Sequence, residues 1–315
     1  MKKAAVFFCL FLLLSLSLSG CAEAPEDDGK LHIISTIFAP YDFARSICGE
    51  ECTVSMLLTP GADIHTYEPT PQDIIAIQEC DLFIYVGGES DAWVGELLSS
   101  LEGVRTLRLT DCVALLEEEH VEGMETQEDP HSHEDAEPDE HVWTSPDNAA
   151  QITRAIGEIL CQLLPEQAEA IAARVETYTG ELDTLDNHIA GIVANAQLST
   201  LIFADRFPMR YFTQHYGLRY FAAFPGCASN TEPSAAVVTF LIDKVNSEGI
   251  PVVFYTEFSN QKMADTICEA TGAEKMRMHS CHNVSQEDFD SGASYLSLMY
   301  ENARALEQAL GSAEE

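Results

Sequence analysis

Between residues 166 and 196 the chain places Ile171, Val175, Tyr178, Leu182, Leu185, Ile189 and Ile192 at alternating steps of four and three residues. Only an α-helix brings such positions onto one face. Pro165 just ahead suits a helix start, and about 31 residues from Glu166 to Ala196 would reach roughly 46 Å at 1.5 Å per residue. A helix this long either zips to a second copy or braces two folded units. Three heptads with patterned sequence on both sides favour the brace over a coiled-coil dimer.

The flanks of that helix repeat one another. Ahead of it, β-type runs at Leu31–Phe38, Thr53–Leu58, Leu82–Val86 and Val104–Leu109 alternate with helical stretches near Tyr41–Cys48, Pro71–Cys80 and Trp93–Leu101. After it, runs at Leu201–Ala204, Tyr220–Phe224, Val252–Thr256 and Lys275–Met278 alternate with helices near Phe207–Tyr216, Pro233–Asn246 and Gln261–Ala270, and a last helix covers about Ala293 to Leu310. Strands separated by helices favour parallel sheets covered on both faces. The expected fold is therefore α/β: two similar lobes, each with a mainly parallel four-stranded sheet flanked by helices, joined by one long rigid helix. The expected divisions are an N-terminal lobe over residues 30–150, a helical region over 151–197 and a C-terminal lobe over 198–315.

Charge narrows the partners. The chain carries 52 Asp and Glu against 16 Lys and Arg, a net charge of −36. Such a surface repels a phosphate backbone, so nucleic acid is a poor partner and a divalent cation a good one. Residues 1–20 read as a secretory signal, with Lys2 and Lys3 ahead of the apolar run Ala4–Leu14. Leu18-Ser19-Gly20-Cys21 closes it, and an acidic tether over 21–29 follows. The stretch Glu117–His141 holds twelve acidic residues, His120, His131, His133 and His141, and no Lys or Arg. This composition cannot bury a core, and imidazoles among carboxylates bind borderline divalent ions weakly. His120, His131 and His133 are therefore candidate auxiliary ligands on a loop over 117–140.

Two further motifs follow strands, where open α/β sheets bind ligands. Pro60-Gly61-Ala62-Asp63-Ile64-His65-Thr66-Tyr67-Glu68-Pro69-Thr70-Pro71 presents His65 ahead of a helix start, and His141-Val142-Trp143-Thr144-Ser145-Pro146 fixes His141 at the end of the acidic loop. Together with Cys21, the acidic loop and the long helix, these motifs resemble the metal-binding lipoproteins of bacterial ABC transporters, the zinc and manganese solute-binding family called cluster A-I or ZnuA/TroA-like. The resemblance spans Cys21 to the end of the chain. It implies a lipidated Cys21, anchorage outside the cytoplasmic membrane, a monomer, a cognate ABC permease as partner, and a metal held between the lobes by two ligands from each.

By that resemblance His65 and His141 form the N-lobe pair. The C-lobe departs from the family pattern. Relatives that bind zinc carry a His about ten residues before a Tyr-Gly-Leu and an Asp after the last strand. Here Tyr216-Gly217-Leu218 follows Asp205-Arg206-Phe207-Pro208, and the last strand leads into His279-Ser280-Cys281-His282-Asn283. The implied set is His65, His141, His279 and Asp205, with Glu257 as reserve carboxylate and His282 as a weaker reserve. Three imidazoles and one carboxylate suit Zn²⁺, with Mn²⁺ the alternative. The resemblance and the placement of both residues after C-lobe strands favour a Cys227–Cys281 disulfide, against a competing reading of both as thiolate ligands; Cys48 and Cys52 are close enough in the chain for a local bridge.

The implied activity is metal capture without a reaction. A surface adhesin would share the anchor but leave His65, His141 and His279 unexplained. A secreted zinc hydrolase lacks support from any His-Glu-x-x-His or Gly-x-Ser-x-Gly sequence. Because imidazole must be neutral to ligate, metal affinity is expected to fall as pH drops below about 6.5. A calorimetric titration showing equal affinity from about pH 7.5 to 5 would contradict an imidazole-based site.

Overall fold

The computed structural model describes residues 29–63, 66–125, 138–228 and 233–311. The expected signal, Cys21, His65, His131 and His133 lie outside these residues. In the N-terminal half, β1 (Leu31–Ser35), α1 (Phe38–Cys48), β2 (Cys52–Met56), α2 (Pro71–Glu79), β3 (Leu82–Tyr85), α3 (Ala92–Ser100) and β4 (Thr106–Arg108) follow the alternation read from the sequence. Local chemistry sets the boundaries: Thr70 and Asp73 form a reciprocal capping box around Pro71 at the start of α2. The next pair is α4 (Pro146–Leu163) and α5 (Ala168–Ala194). The C-terminal half contains β5 (Thr200–Phe207), α6 (Arg210–Tyr216), β6 (Arg219–Pro225), α7 (Ala235–Glu248), β7 (Val252–Tyr255), α8 (Lys262–Thr271), β8 (Glu274–Arg277), α9 (Gln286–Asp290) and α10 (Tyr295–Leu310).

Both sheets are parallel and share one strand order, β2-β1-β3-β4 and β6-β5-β7-β8. In each, the order reverses beside the first strand, which opens a crevice at the carboxyl ends of β1 and β3, and of β5 and β7. β5 differs from expectation. A register shift between Phe203 and Arg206 lets it continue to Phe207, so Asp205 sits within the irregularity of the strand instead of in a loop after it.

The long helix α5 has 27 residues, and all seven apolar positions of its stripe are buried. Gly157 of α4 faces it so closely that an added Cβ would lie 2.5 Å from a Val175 methyl. The stripe serves more than a strut. One continuous core includes Phe38 and Leu82 of the first half, Leu182 of α5, and Phe203, Phe254 and Leu306 of the second, and residues from Leu31 onward form a single compact unit. The C-terminal helix closes the seam through a buried carboxylate: Asp42 accepts from the Tyr295 N–H (2.8 Å) and the Tyr178 hydroxyl (3.2 Å) and pairs with Arg45.

The segment after β8 is stitched to the opposite half. The His282 carbonyl accepts from Phe38 N–H (2.7 Å), the Val284 carbonyl accepts from Gly61 N–H (2.8 Å), and the Asn283 amide donates to the carbonyls of Thr59 (2.7 Å) and Ala62 (2.9 Å). Asn283 is fully buried; its removal takes the amide donor from the Ala62 carbonyl and one of two donors from the Thr59 carbonyl, which keeps the Ala62 N–H. Asn283→Ala is expected to lower unfolding free energy by about 1–3 kcal/mol in urea titrations. A loss below about 0.5 kcal/mol would mean the stitch adds little.

Candidate metal centre

His141 precedes the turn Val142–Thr144 that leads into α4. Its backbone N–H donates to Asp139 Oδ1 at 2.8 Å, and its Nδ1 lies 3.0 Å from the same oxygen. Trp143, fully buried, reaches across the seam to donate from Nε1 to the Ser280 carbonyl (2.8 Å), while the Tyr295 hydroxyl donates to the Trp143 carbonyl (2.7 Å). These bonds bring the two halves together at one point. The His282 ring stands edge-on to both His141 and Trp143, with centroids 4.8 and 4.7 Å away.

Glu140 completes the cluster. One carboxylate oxygen accepts from the Ser90 N–H (3.0 Å) and hydroxyl (2.9 Å), and the other is buried without a hydrogen-bond partner. A buried carboxylate oxygen left unsatisfied is costly and calls for a cation. Glycines make the approach possible: a Cβ on Gly88 would lie 2.2 Å from Glu140, and one on Gly226 would lie 2.7 Å from His141 Cε1. One ligand-capable atom from each of Glu140, His141 and His282 lies within 4.8 Å of the others. Tetrahedral zinc at bonds of about 2.1 Å separates its ligands by roughly 3.4 Å, so a modest contraction would suffice.

Burial pulls the His141 imidazole toward the neutral form, but Asp139, with Glu140 and Glu118, outweighs it and raises the pKa above the ordinary value. A cavity of about 410 Å³ opens beside His282, lined by Asp63, Asp205, Arg206, Glu257 and Ser280. At its edge Arg206 pairs with Asp63 of the opposite half at 3.0 Å.

Not every residue singled out from sequence joins this cluster. Asp205 is engaged structurally, one oxygen accepting from Arg206 N–H (2.8 Å) and the other from the Thr256 hydroxyl (2.8 Å) and N–H (3.2 Å). His279 is buried behind the site, where its Nδ1 accepts from Cys281 N–H (2.9 Å) and Asn302 brackets its backbone. A neutral ring with Nδ1 as acceptor carries its hydrogen on Nε2, and that nitrogen cannot ligate. Glu257 is committed to Ser280, accepting from its N–H and its hydroxyl. His120 is exposed beside Glu118.

The cysteines also depart from expectation. Cys48 and Cys52 are bridged, but Cys227 and Cys281 are free thiols, and burial pushes both thiol pKa values well up, which disfavours thiolate ligation. His282, in the sequence only a weaker reserve, and Glu140, not singled out there, are the residues that the fold brings beside His141. The available signal was a hydrogen-bonding residue two positions before each histidine, Asp139 before His141 and Ser280 before His282.

Asp91 sits behind Glu140 and is buried. Burial pushes its carboxyl up to about 7 and the Glu140 charge adds to the rise, while the Val86 and Gly87 amides and the Thr36 hydroxyl oppose it. A carboxyl raised from 3.8 to about 7 by folding adds stability below pH 4 that disappears as pH rises through 7. Metal-free Asp91→Asn should therefore gain stability relative to the parent between about pH 4 and 8, by on the order of 3 kcal/mol. A stability difference independent of pH in paired denaturant titrations would refute this.

Comparison with known proteins places the chain and its fold in a family. A family profile described as ZnuA, zinc-uptake complex component A, periplasmic, matches residues 33–309. The chain is 29% identical over 314 residues to the zinc-binding lipoprotein AdcA of Streptococcus pneumoniae, covering 98% of this chain and 61% of that protein. It is 28% identical over 312 residues to the high-affinity zinc uptake system protein ZnuA of Bacillus subtilis, covering 98% and 95% of the two chains. The chain thus spans only about three-fifths of the length of AdcA. The crystal structure of the Zn(II)-bound ZnuA-like domain of S. pneumoniae AdcA is similar with a TM-score of 0.75 and 27% identity, over 90% of this chain and 99% of that one. Two parallel sheets in the same order, a long bracing helix and a profile match across 33–309 together establish that this chain belongs to the ZnuA family.

Proposed function

We propose that this protein captures Zn²⁺ outside the cytoplasmic membrane and passes it to a cognate ABC permease, without catalysing a reaction. The observation that carries the proposal is the convergence of Glu140, His141 and His282 at one buried point, with a Glu140 oxygen left without a hydrogen-bond partner. Two imidazoles and one carboxylate form a borderline N/O donor set, which suits Zn²⁺ better than the oxygen-rich sets that favour Mn²⁺. The names of AdcA and B. subtilis ZnuA, both zinc proteins, support the choice of ion.

His65 is proposed as the fourth ligand. It follows Asp63, which lines the cavity beside His282, and the preceding loop is held by Asn283 and Val284. His282 takes the role that sequence reasoning assigned to His279, and Glu140 the role assigned to Asp205. Lipidation at Cys21 would keep the protein at the membrane surface as a monomer; among the described residues no helix is long and apolar enough to cross a bilayer. The acidic stretch with His120, His131 and His133 would gather ions weakly, as imidazoles among many carboxylates do.

Chelator competition on the whole protein is expected to find one tight zinc per chain. His141→Gln and His282→Gln should each weaken it at least about tenfold, with Glu140→Gln in a similar range, because each removes a donor from a small set. Deleting residues 126–137 should leave the tight ion in place. Retention of full affinity by the His141→Gln/His282→Gln double variant would overturn the assignment.

A further inference from the structure

The two histidines of the cluster are held by one local device in two chemical versions. At His141 the acceptor two residues upstream is a carboxylate, and Asp139 can only receive from the backbone N–H and from Nδ1–H. At His282 the group two residues upstream is a hydroxyl. Ser280 Oγ accepts from His282 N–H (3.2 Å) and lies 3.1 Å from His282 Nδ1. A hydroxyl beside Nδ1 is ambiguous: it can donate to a bare Nδ1, which puts the ring hydrogen on Nε2, or accept from Nδ1–H, which leaves Nε2 with a lone pair.

Glu257 removes the ambiguity. As a carboxylate it accepts only, taking the Ser280 N–H through Oε2 at 2.9 Å and the Ser280 hydroxyl hydrogen through Oε1. With that hydrogen committed, both lone pairs of Ser280 Oγ are left for the two N–H groups of His282. The single donor and two acceptor positions of the hydroxyl are then all used. Cys281 makes the arrangement possible by adopting a left-handed backbone (φ 61°), rare for a non-glycine residue, which folds the chain so that Ser280 and His282 face each other. The contrast with His279 is informative. The same turn aims Cys281 N–H at His279 Nδ1, so two histidines three residues apart are placed in opposite tautomers.

We propose that Glu257 and Ser280 act together as a positioning pair that holds His282 as the Nδ1–H tautomer, presenting Nε2 to the metal. The pair contacts the ligand and not the ion, and the proposal rests on the reading of His282 as a zinc ligand. Ser280→Ala removes the acceptor. Glu257→Gln is nearly isosteric but gives Ser280 a donor neighbour, which frees the hydroxyl hydrogen to turn toward Nδ1.

The test uses the whole protein labelled with ¹⁵N-histidine, with ring nitrogen shifts recorded metal-free at about pH 8 and the His282 signals assigned by their loss in His282→Gln. The parent should show a protonated Nδ1 at His282, and both variants should lose or mix that pattern. Zinc affinity by chelator competition should fall about 10–100-fold in both variants while the stoichiometry stays at one per chain. Ser280→Thr, which keeps the hydroxyl, should restore the tautomer and bring affinity back to within about threefold. The proposal is overturned if Ser280→Ala and Glu257→Gln retain the parental tautomer, whether affinity falls or not. Because the tautomer is read without metal, that failure is distinguishable from a failure of the zinc site, which would show instead as unchanged zinc affinity in His282→Gln.

Discussion

The hydrogen-bonded seam between the segment Ser280–Val284 and the N-terminal half is the constraint on which the site depends. His282 follows the last C-terminal strand, yet its carbonyl is bonded to Phe38, its neighbour Asn283 to Thr59 and Ala62, and Val284 to Gly61. Trp143 closes the same seam from the other side by donating to the Ser280 carbonyl. The Phe38–His282 and Trp143–Ser280 bonds are buried, where an unmade partner is costly, and the bonds from Asn283 and Val284 extend the seam toward the surface at Thr59 and Gly61. His282 and His141 then meet because His282 is bonded to the backbone of Phe38, and Trp143, two residues after His141, to that of Ser280.

A seam of this kind, with one core running through both halves, limits how the protein can respond to a ligand. Wide hinge closure would break buried hydrogen bonds on both sides of Trp143 and expose the stripe of α5. Adjustment of side chains is cheaper at the cavity beside His282, where the Arg206–Asp63 pair spans the edge.

The electrostatic design around the centre is graded. Asp139 is bonded to His141, Glu140 leaves one oxygen unsatisfied, and Asp91 behind it is pushed toward the neutral form. Buried acids held this close repel one another, and a divalent cation relieves that repulsion more strongly than a monovalent one. A divalent cation at the proposed centre would relieve part of this repulsion on binding. The overall charge of −36 extends the same bias outward, enriching cations near the surface at low ionic strength.

The sequence by itself determined the two parallel sheets and the long helix with its buried face, and it singled out His141 as a candidate, because hydrophobic period and turn chemistry are local properties. It also indicated the class of chemistry, through excess acid and histidines after strands. Only the tertiary structure shows that His282, and not His279, stands beside His141. Spacing places both after β8, and the choice rests on the left-handed backbone of Cys281, on the direction of hydrogen bonds from Glu257 and on contacts with Phe38 and Trp143. The setting of Asp205 is likewise tertiary: it lies in the irregularity of β5 with its carboxylate bonded to Thr256. Glu140 gives no sign in a run of twelve acids until Ser90 and the space at Gly88 single it out. Period and composition survive in one dimension, whereas ring tautomers and the direction of buried donors exist only once distant segments are packed together.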